Sequence, residues 1–224
     1  MTHRWLWAVF ALHAGAVLAA GPVDLRRAGR LEGNAESGAA KVTVCVACHG
    51  PEGNAVVPAF PALAGQKAEY LYQSLAGFKR RADPASPMTA QVEKLTDADL
   101  HDVAAYFSTR QRKPQPAPAV SGVNRTDGAA LFAAGNPARG TPPCQGCHGV
   151  AAQGHPGAAD GAPRFAYYPA LAGQNAEYVV ARLGRYREGK LDDTTNARVM
   201  RGVAQTLDDA SIRALADYLA GVPR

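Results

Sequence analysis

The sequence predicts an all-α chain built from two tandem helical domains of the same design. Three observations carry the prediction. Apolar residues recur at helical spacing in both halves. No convincing two-residue alternation marks a strand in either half. A set of segments occurs twice, at a separation of roughly 100 residues, too long for a solenoid repeat and right for duplication of a whole domain. The 224 residues of the chain are enough for two domains of about 100 residues each.

Composition narrows the function classes. Hydrophobic residues make up 47% of the chain, ordinary for a protein with a core. The formal net charge is +5, spread along the sequence without a Lys/Arg block or an aromatic-basic pattern, which argues against a nucleic-acid surface. A modest positive surface suits docking to an acidic partner or peripheral association with an anionic membrane face, and simple solubility accounts for it equally well.

The N-terminus reads as a signal peptide over residues 1–20. Arg4 gives a positive start, an apolar run extends from Trp5 to Leu18, and small residues follow at Ala19, Ala20 and Gly21. The run is shorter than the roughly 20 residues a spanning helix needs, and an exported, periplasmic protein is expected. An uncleaved anchor is the alternative. Trp5 and Trp7 would leave with the signal.

The four cysteines form two identical patterns. Cys45-Val-Ala-Cys48-His49 and Cys144-Gln-Gly-Cys147-His148 both match Cys-x-x-Cys-His, the attachment site of c-type haem. Two thiols add across the two vinyl groups of one porphyrin, and the following residue places an imidazole below the ring. Rival readings are two disulfides in an exported protein, one zinc site, or a thioredoxin-like pair. Zinc ribbons separate their pairs by about 15–20 residues, whereas nearly a domain intervenes here, and a thioredoxin-like pair needs a strand-to-helix setting that neither motif has. Two covalently bound haem c groups, each with its iron, are therefore expected.

The remaining elements follow in order. Pro61-Ala-Leu-Ala-Gly-Gln-Lys-Ala-Glu-Tyr70 recurs as Pro169-Ala-Leu-Ala-Gly-Gln-Asn-Ala-Glu-Tyr178. Short helices are expected before each haem motif, around residues 35–44 and 127–134. Ala68, Leu71, Tyr72, Leu75 and Phe78 predict a middle helix, repeated by Ala176, Val179, Val180, Leu183 and Tyr186. Leu100, Val103, Ala104 and Phe107 predict the last helix of the first copy, and Ile212, Leu215, Ala216 and Leu219 that of the second. Thr96 with Asp99, and Asp208, are the expected N-terminal caps. Between the copies, Gln111 to Gly122 carries alternating prolines and reads as a stiff, extended linker. The expected division is 1–20 signal, 21–110 first domain, 111–122 linker and 123–224 second domain.

A sixth iron ligand can be Met, His or Lys, or the position can stay open. Beyond Met1 the chain has two methionines, Met88 and Met200. Each lies between the middle and last helices of its own copy, in stretches that read as polar and irregular, where a core methionine is out of place. His49 with Met88 and His148 with Met200 are thus the expected iron ligands. His101 and His155 are not duplicated and read as exposed side chains.

These motifs resemble those of class I cytochromes c, and the tandem pair resembles the cytochrome c4 family over nearly all of the mature chain. The matches are the two Cys-x-x-Cys-His motifs, the duplicated Pro-Ala-Leu-Ala-Gly-Gln, the helix-initiating Leu95-Thr-Asp and Leu207-Asp-Asp, and Met200-Arg201-Gly202-Val203. The resemblance implies two class I cytochrome c domains, each a small helical fold wrapped around one haem held by His and Met. It implies packing about a pseudo-twofold axis with the haem propionates close together. It implies that the Pro61 carbonyl holds the His49 ring; the intervening loop, 149–168, is longer in the second copy, which sets Pro169 apart. Gly128 and Phe132 against Leu215 and Tyr218 resemble the terminal-helix contact of that class. Gly38 and Val42 against Val103 and Tyr106 would form a thinner version.

With both axial positions filled, the expected role is non-enzymatic, outer-sphere transfer of single electrons between redox partner proteins. A quinol- or dehydrogenase-type donor would stand on one side, and the resemblance implies a terminal haem-copper oxidase as acceptor. Two other classes stay open: a diheme subunit of a dehydrogenase, such as a flavoprotein that oxidises sulfide, and a diheme peroxidase or haem sensor. The last needs an open axial site, and no acid-base cluster beside either motif supports peroxide cleavage.

Overall fold

A computed structural model describes residues 21–113 and 125–223. The expected signal segment and most of the expected linker lie outside the described residues. The first copy carries α1 (Ala35–Ala39), α2 (Thr43–His49), α3 (Ala68–Arg81), α4 (Pro87–Val92) and α5 (Asp97–Ser108). The second carries α6 (Arg125–Ala134), α7 (Gln145–His148), α8 (Ala176–Arg187), α9 (Thr195–Gln205) and α10 (Asp209–Gly221). Isolated bridges join Val23 to Thr194 and Asn136 to Thr141, and no longer strand occurs among the described residues.

Local chemistry sets where the helices start. Thr96 accepts from the Asp99 N–H while the Asp99 carboxylate accepts from the Thr96 N–H, a reciprocal cap for α5. Asp208 accepts from the Ser211 N–H at α10, and Thr194 from the Ala197 N–H at α9. The single helix expected before the first haem motif is two. A turn at Ala40 and Lys41 ends α1 after five residues, and α2 then carries the motif itself. In the second copy α6 runs longer and a loop bridged by Asn136 and Thr141 leads into the four-residue α7.

In each copy the first and last helices cross at a glycine. A Cβ on Gly38 would stand 2.2 Å from the Asp102 carbonyl oxygen, and one on Gly128 2.1 Å from that of Ala214. No other residue allows that approach. The crossings anchor the cores. Val42, Leu71, Val103, Ala104 and Phe107 form one in the first copy, and Phe132, Val179, Leu207, Ile212, Leu215 and Leu219 lie in that of the second. Phe132 meets Tyr218 at 5.5 Å between ring centroids, whereas the first copy has Val42 at that place and no ring pair.

The copies are joined by their repeated motifs. The Gln66 side chain, from the first Pro-Ala-Leu-Ala-Gly-Gln, bonds both backbone groups of Ala170 in the second. Gln174 does the same to Ala62. This reciprocity is what a twofold relation between the copies requires. Arg112 lies across the junction and donates to the Ala62 and Ala172 carbonyls, each at 3.3 Å. Burial pushes its guanidinium down to about 10. At the far end of α3, Arg80 and Arg81 pair with Asp193 at 2.7 and 2.8 Å.

Two chain segments depart from the simple tandem picture. Residues 111–113, expected to be linker, are docked on the first copy, with Asn54 bonded to the Gln111 carbonyl and the Lys113 N–H. The first described residues lie against the second copy: Val23 bridges Thr194, the Leu25 N–H donates to Thr195 Oγ1, and Tyr167 donates to the Gly29 carbonyl.

Candidate functional site

Each Cys-x-x-Cys-His stretch is held on a short helix that ends at its histidine. A glycine follows at once, Gly50 with φ +74° and Gly149 with φ +79°. This left-handed turn sends the chain back under the imidazole. The returning segment is the repeated Pro-Ala-Leu-Ala stretch. In the first copy the Gly53 carbonyl accepts from the Leu63 and Ala64 N–H groups, at 2.7 and 3.1 Å. In the second the Ala152 carbonyl accepts from Leu171 and Ala172, at 2.7 and 3.0 Å. The clamp is the same.

It sets the histidines. His49 Nδ1 lies 2.9 Å from the Pro61 carbonyl oxygen, and His148 Nδ1 lies 3.0 Å from that of Pro169. The separations along the chain are 12 and 21 positions, so the longer loop does not displace Pro169. The additional residues fold into turns at Pro156–Ala158 and Pro163–Tyr167, pinned by His155 stacked on Phe165 at 3.8 Å. Both site histidines are buried, and burial pushes each below its ordinary value. With Nδ1 donating to a carbonyl, the ring carries its proton there and leaves Nε2 as the lone-pair nitrogen.

The four thiols are unpaired. Cys45 packs against the core of the first copy and Cys144 against that of the second, while Cys48 and Cys147 are exposed. Burial raises the Cys45 thiol and lifts that of Cys144 to about 11. Among the described residues no three His, Cys, Asp or Glu side chains converge as a metal cage. This donor set suits a porphyrin: one inward and one outward thiol per motif, with one imidazole nitrogen kept free beside them.

Both methionines lie on helices, not in irregular chain. Met88 is the second residue of α4 and packs, half-buried, against the Ala76, Val92 and Leu100 cluster. Met200 is half-buried within α9. Ser86-Pro87 reads as a turn, but proline is favoured at a helix's first position, and Thr194 caps α9 where no apolar period announced it.

The lone histidines are more engaged than their sequence setting indicated. His101 bonds the Glu32 carbonyl at 3.0 Å and meets the Tyr72 ring edge-on at 4.3 Å. His155 accepts from the Gly157 N–H. Sequence reasoning missed Gln66, Gln174 and Arg112. The two glutamines stood in the repeat itself, and identical amides in both copies were the available signal.

Comparisons with known proteins agree with this geometry. A model of the Cytochrome c family matches residues 35–111 and again 126–223. Cytochrome c4 of Stutzerimonas stutzeri is 38% identical over 200 residues, covering 85% of this chain and 90% of that protein. A thiosulfate dehydrogenase electron acceptor of Thiomonas intermedia is 32% identical over 180 residues, covering 80% of this chain and 78% of that protein. The crystal structure of reduced cytochrome c4 from Pseudomonas stutzeri superposes with a TM-score of 0.71 at 36% identity, covering 86% of this chain and all of that one. Each copy is thus a cytochrome c domain with one covalently attached haem c, bound through Cys45 and Cys48 or through Cys144 and Cys147. The chain belongs to the cytochrome c family, as a diheme electron carrier of the cytochrome c4 kind.

Proposed function

We propose that the protein is a freely docking, periplasmic carrier that passes single electrons between respiratory components by outer-sphere transfer. His49 and Met88 hold the first iron, and His148 and Met200 the second. The observation that carries this reading is duplicated: in both copies Nδ1 of the histidine is tied to a proline carbonyl, which leaves the other nitrogen free to bind a metal. One methionine per copy, at the same place before the last helix, completes each pair.

Haem c supplies the Fe(III)/Fe(II) couple when bound. The chain's residues do the rest. With His49 and Met88, or His148 and Met200, holding the iron, no position would remain for substrate or oxygen; the thioether would favour the ferrous state, and the apolar core would disfavour the added charge of the ferric one. The proline carbonyls hold the imidazoles in one orientation. Export by residues 1–20 and the division at 21–110, 111–122 and 123–224 belong to this reading. Among the described residues no helix is long and apolar enough to cross a membrane.

An optical spectrum of the ferric holoprotein, with haem content measured on the same sample, tests it. Two low-spin haems per chain, a full-strength near-infrared sulfur-to-iron band, and no change when carbon monoxide meets the reduced protein are expected. A high-spin component or carbon monoxide binding at one haem overturns the ligand assignment and points to a sensor or peroxidase. A second reading, electron acceptor of a dehydrogenase, is favoured by the 32% identical relative named for accepting electrons from thiosulfate dehydrogenase. Reduction of the protein by such an enzyme, with stable co-purification, would establish it over a freely diffusing carrier. Oxidation by a terminal haem-copper oxidase would support the carrier.

A further inference from the structure

Gln66 and Gln174 are 4% exposed each. The amide of each bonds both backbone groups of one residue across the domain junction, and its oxygen also accepts from the next N–H of its own copy, Lys67 or Asn175, at 2.9 Å. The Ala62 N–H donates to Gln174 Oε1 at 2.8 Å, and Gln174 Nε2 donates to the Ala62 carbonyl at 3.0 Å. The Ala170 N–H donates to Gln66 Oε1 at 2.8 Å, and Gln66 Nε2 donates to the Ala170 carbonyl at 2.8 Å. The Ala62 N–H belongs to the same peptide group as the Pro61 carbonyl, the one that accepts from His49. The Ala170 N–H likewise shares its peptide with the Pro169 carbonyl, the acceptor for His148. Each site histidine is therefore linked, through one peptide group and two hydrogen bonds, to a glutamine of the other domain.

We propose that Gln174 sets the donor strength of His49, and Gln66 that of His148, so that each domain tunes the other's haem through a crossed hydrogen-bond relay. The proposal rests on His49 and His148 being the iron ligands. The sense of the effect follows from amide chemistry. A peptide N–H that donates a hydrogen bond polarises its own group, and the carbonyl oxygen becomes a better acceptor. A better acceptor pulls harder on the imidazole Nδ1–H and makes Nε2 more basic. A more basic ligand favours ferric iron and lowers the potential. The relay thus holds both potentials below the values that separated domains would show. Gln66 and Gln174 are positioning residues in this scheme, since neither reaches the haem.

The test compares Gln174→Leu, Gln66→Leu and Asp193→Asn in the full-length holoprotein. The potentials of the two haems and their hyperfine-shifted proton resonances are measured, each haem identified by contacts to neighbouring residues. Gln174→Leu is expected to raise the potential and move the resonances of the haem on Cys45 and Cys48. Gln66→Leu is expected to do so for the haem on Cys144 and Cys147. Asp193→Asn cuts the ion pairs to Arg80 and Arg81 across the same junction without touching either peptide, and is expected to leave both potentials in place. Shifts at the haem of the mutated domain, equal shifts at both, no shift, or an equal response to Asp193→Asn overturn the relay. Should the leucine variants lose haem, Gln174→Met and Gln66→Met keep the side-chain length without either hydrogen bond, and crossed upward shifts are then required. A wild-type spectrum without low-spin histidine features overturns the ligand assignment itself; with those features intact, a missing crossed shift overturns the relay alone.

Discussion

Met88 and Met200 are the residues on which the electron-carrier reading can be cut most cleanly. Each is half-buried on a helix of its own copy, so on the proposed ligation a replacement would remove a ligand with only a modest loss of packing. Met88→Ala is expected to halve the sulfur-to-iron band and to let carbon monoxide bind one reduced haem. Met200→Ala should do the same at the other. Loss of the whole band in either variant, or of none, would break the pairing of one methionine with one haem. The haem-attaching cysteines were legible in the sequence, because covalent attachment needs contiguous residues and because the motif appears twice; the proposed histidine and methionine ligands are read from the same repeat. The role of Pro169 was not legible. Its distance along the chain from His148 says nothing about the clamp at Ala152, which restores the geometry despite the longer loop.

At the scale of elements, the helix crossings and caps govern stability. Gly128→Ala would drive a methyl into the Ala214 carbonyl and the Tyr218 side chain, and Gly38→Ala would do so at Asp102 and Tyr106. Forcing either pair of helices apart is expected to cost about 1–3 kcal/mol, read from denaturant unfolding of the holoprotein. A pH dependence belongs to the α10 cap. Hydrogen bonds from Ser211, with Arg139 alongside, lower the Asp208 carboxyl from 3.8 to about 2. A folded-state value below the unfolded one means that the unfolded chain binds the proton more readily. The stabilisation is complete above the unfolded value and is lost as pH falls toward 2. Thermal midpoints measured from pH 5 down to pH 2 should fall less steeply for Asp208→Asn, which still caps the helix but does not titrate. An unchanged slope would remove Asp208 from the acid response. The caps of α5 and α10 were readable as local sequence patterns. The break between α1 and α2 was not, since Lys41 at the turn is tied to Asp99 and Asp102 of α5, a contact from far along the chain.

At the scale of the molecule, the two copies work as one body because the motif that shapes each haem site also forms the junction. Arg112 reinforces it from a segment that reads as linker. Arg112→Ala is expected to weaken the junction by about 2 kcal/mol, the usual worth of a hydrogen bond to a charged group. In calorimetry of the holoprotein this should appear as splitting of the unfolding into two transitions, while both haems stay bound. A single, unshifted transition would assign the coupling to the remaining contacts across the junction, among them the glutamines and the Asp193 ion pairs.

By itself, the sequence determined what is covalent, periodic or repeated: two haem attachment sites, helical domains, the caps of α5 and α10, and a duplication that puts one attachment motif and one methionine in each copy. These depend on neighbours within a turn or two of chain, or on likeness between segments, and both can be read along a line. Only the tertiary structure decided how the copies meet. The glutamine bonds to Ala62 and Ala170 span 112 and 104 positions, and the Val23 bridge to Thr194 joins the start of the described chain to the second domain. An amide in a repeat carries no sign of its partner. That partner is chosen by which buried peptide groups remain unpaired once the two domains have closed on each other.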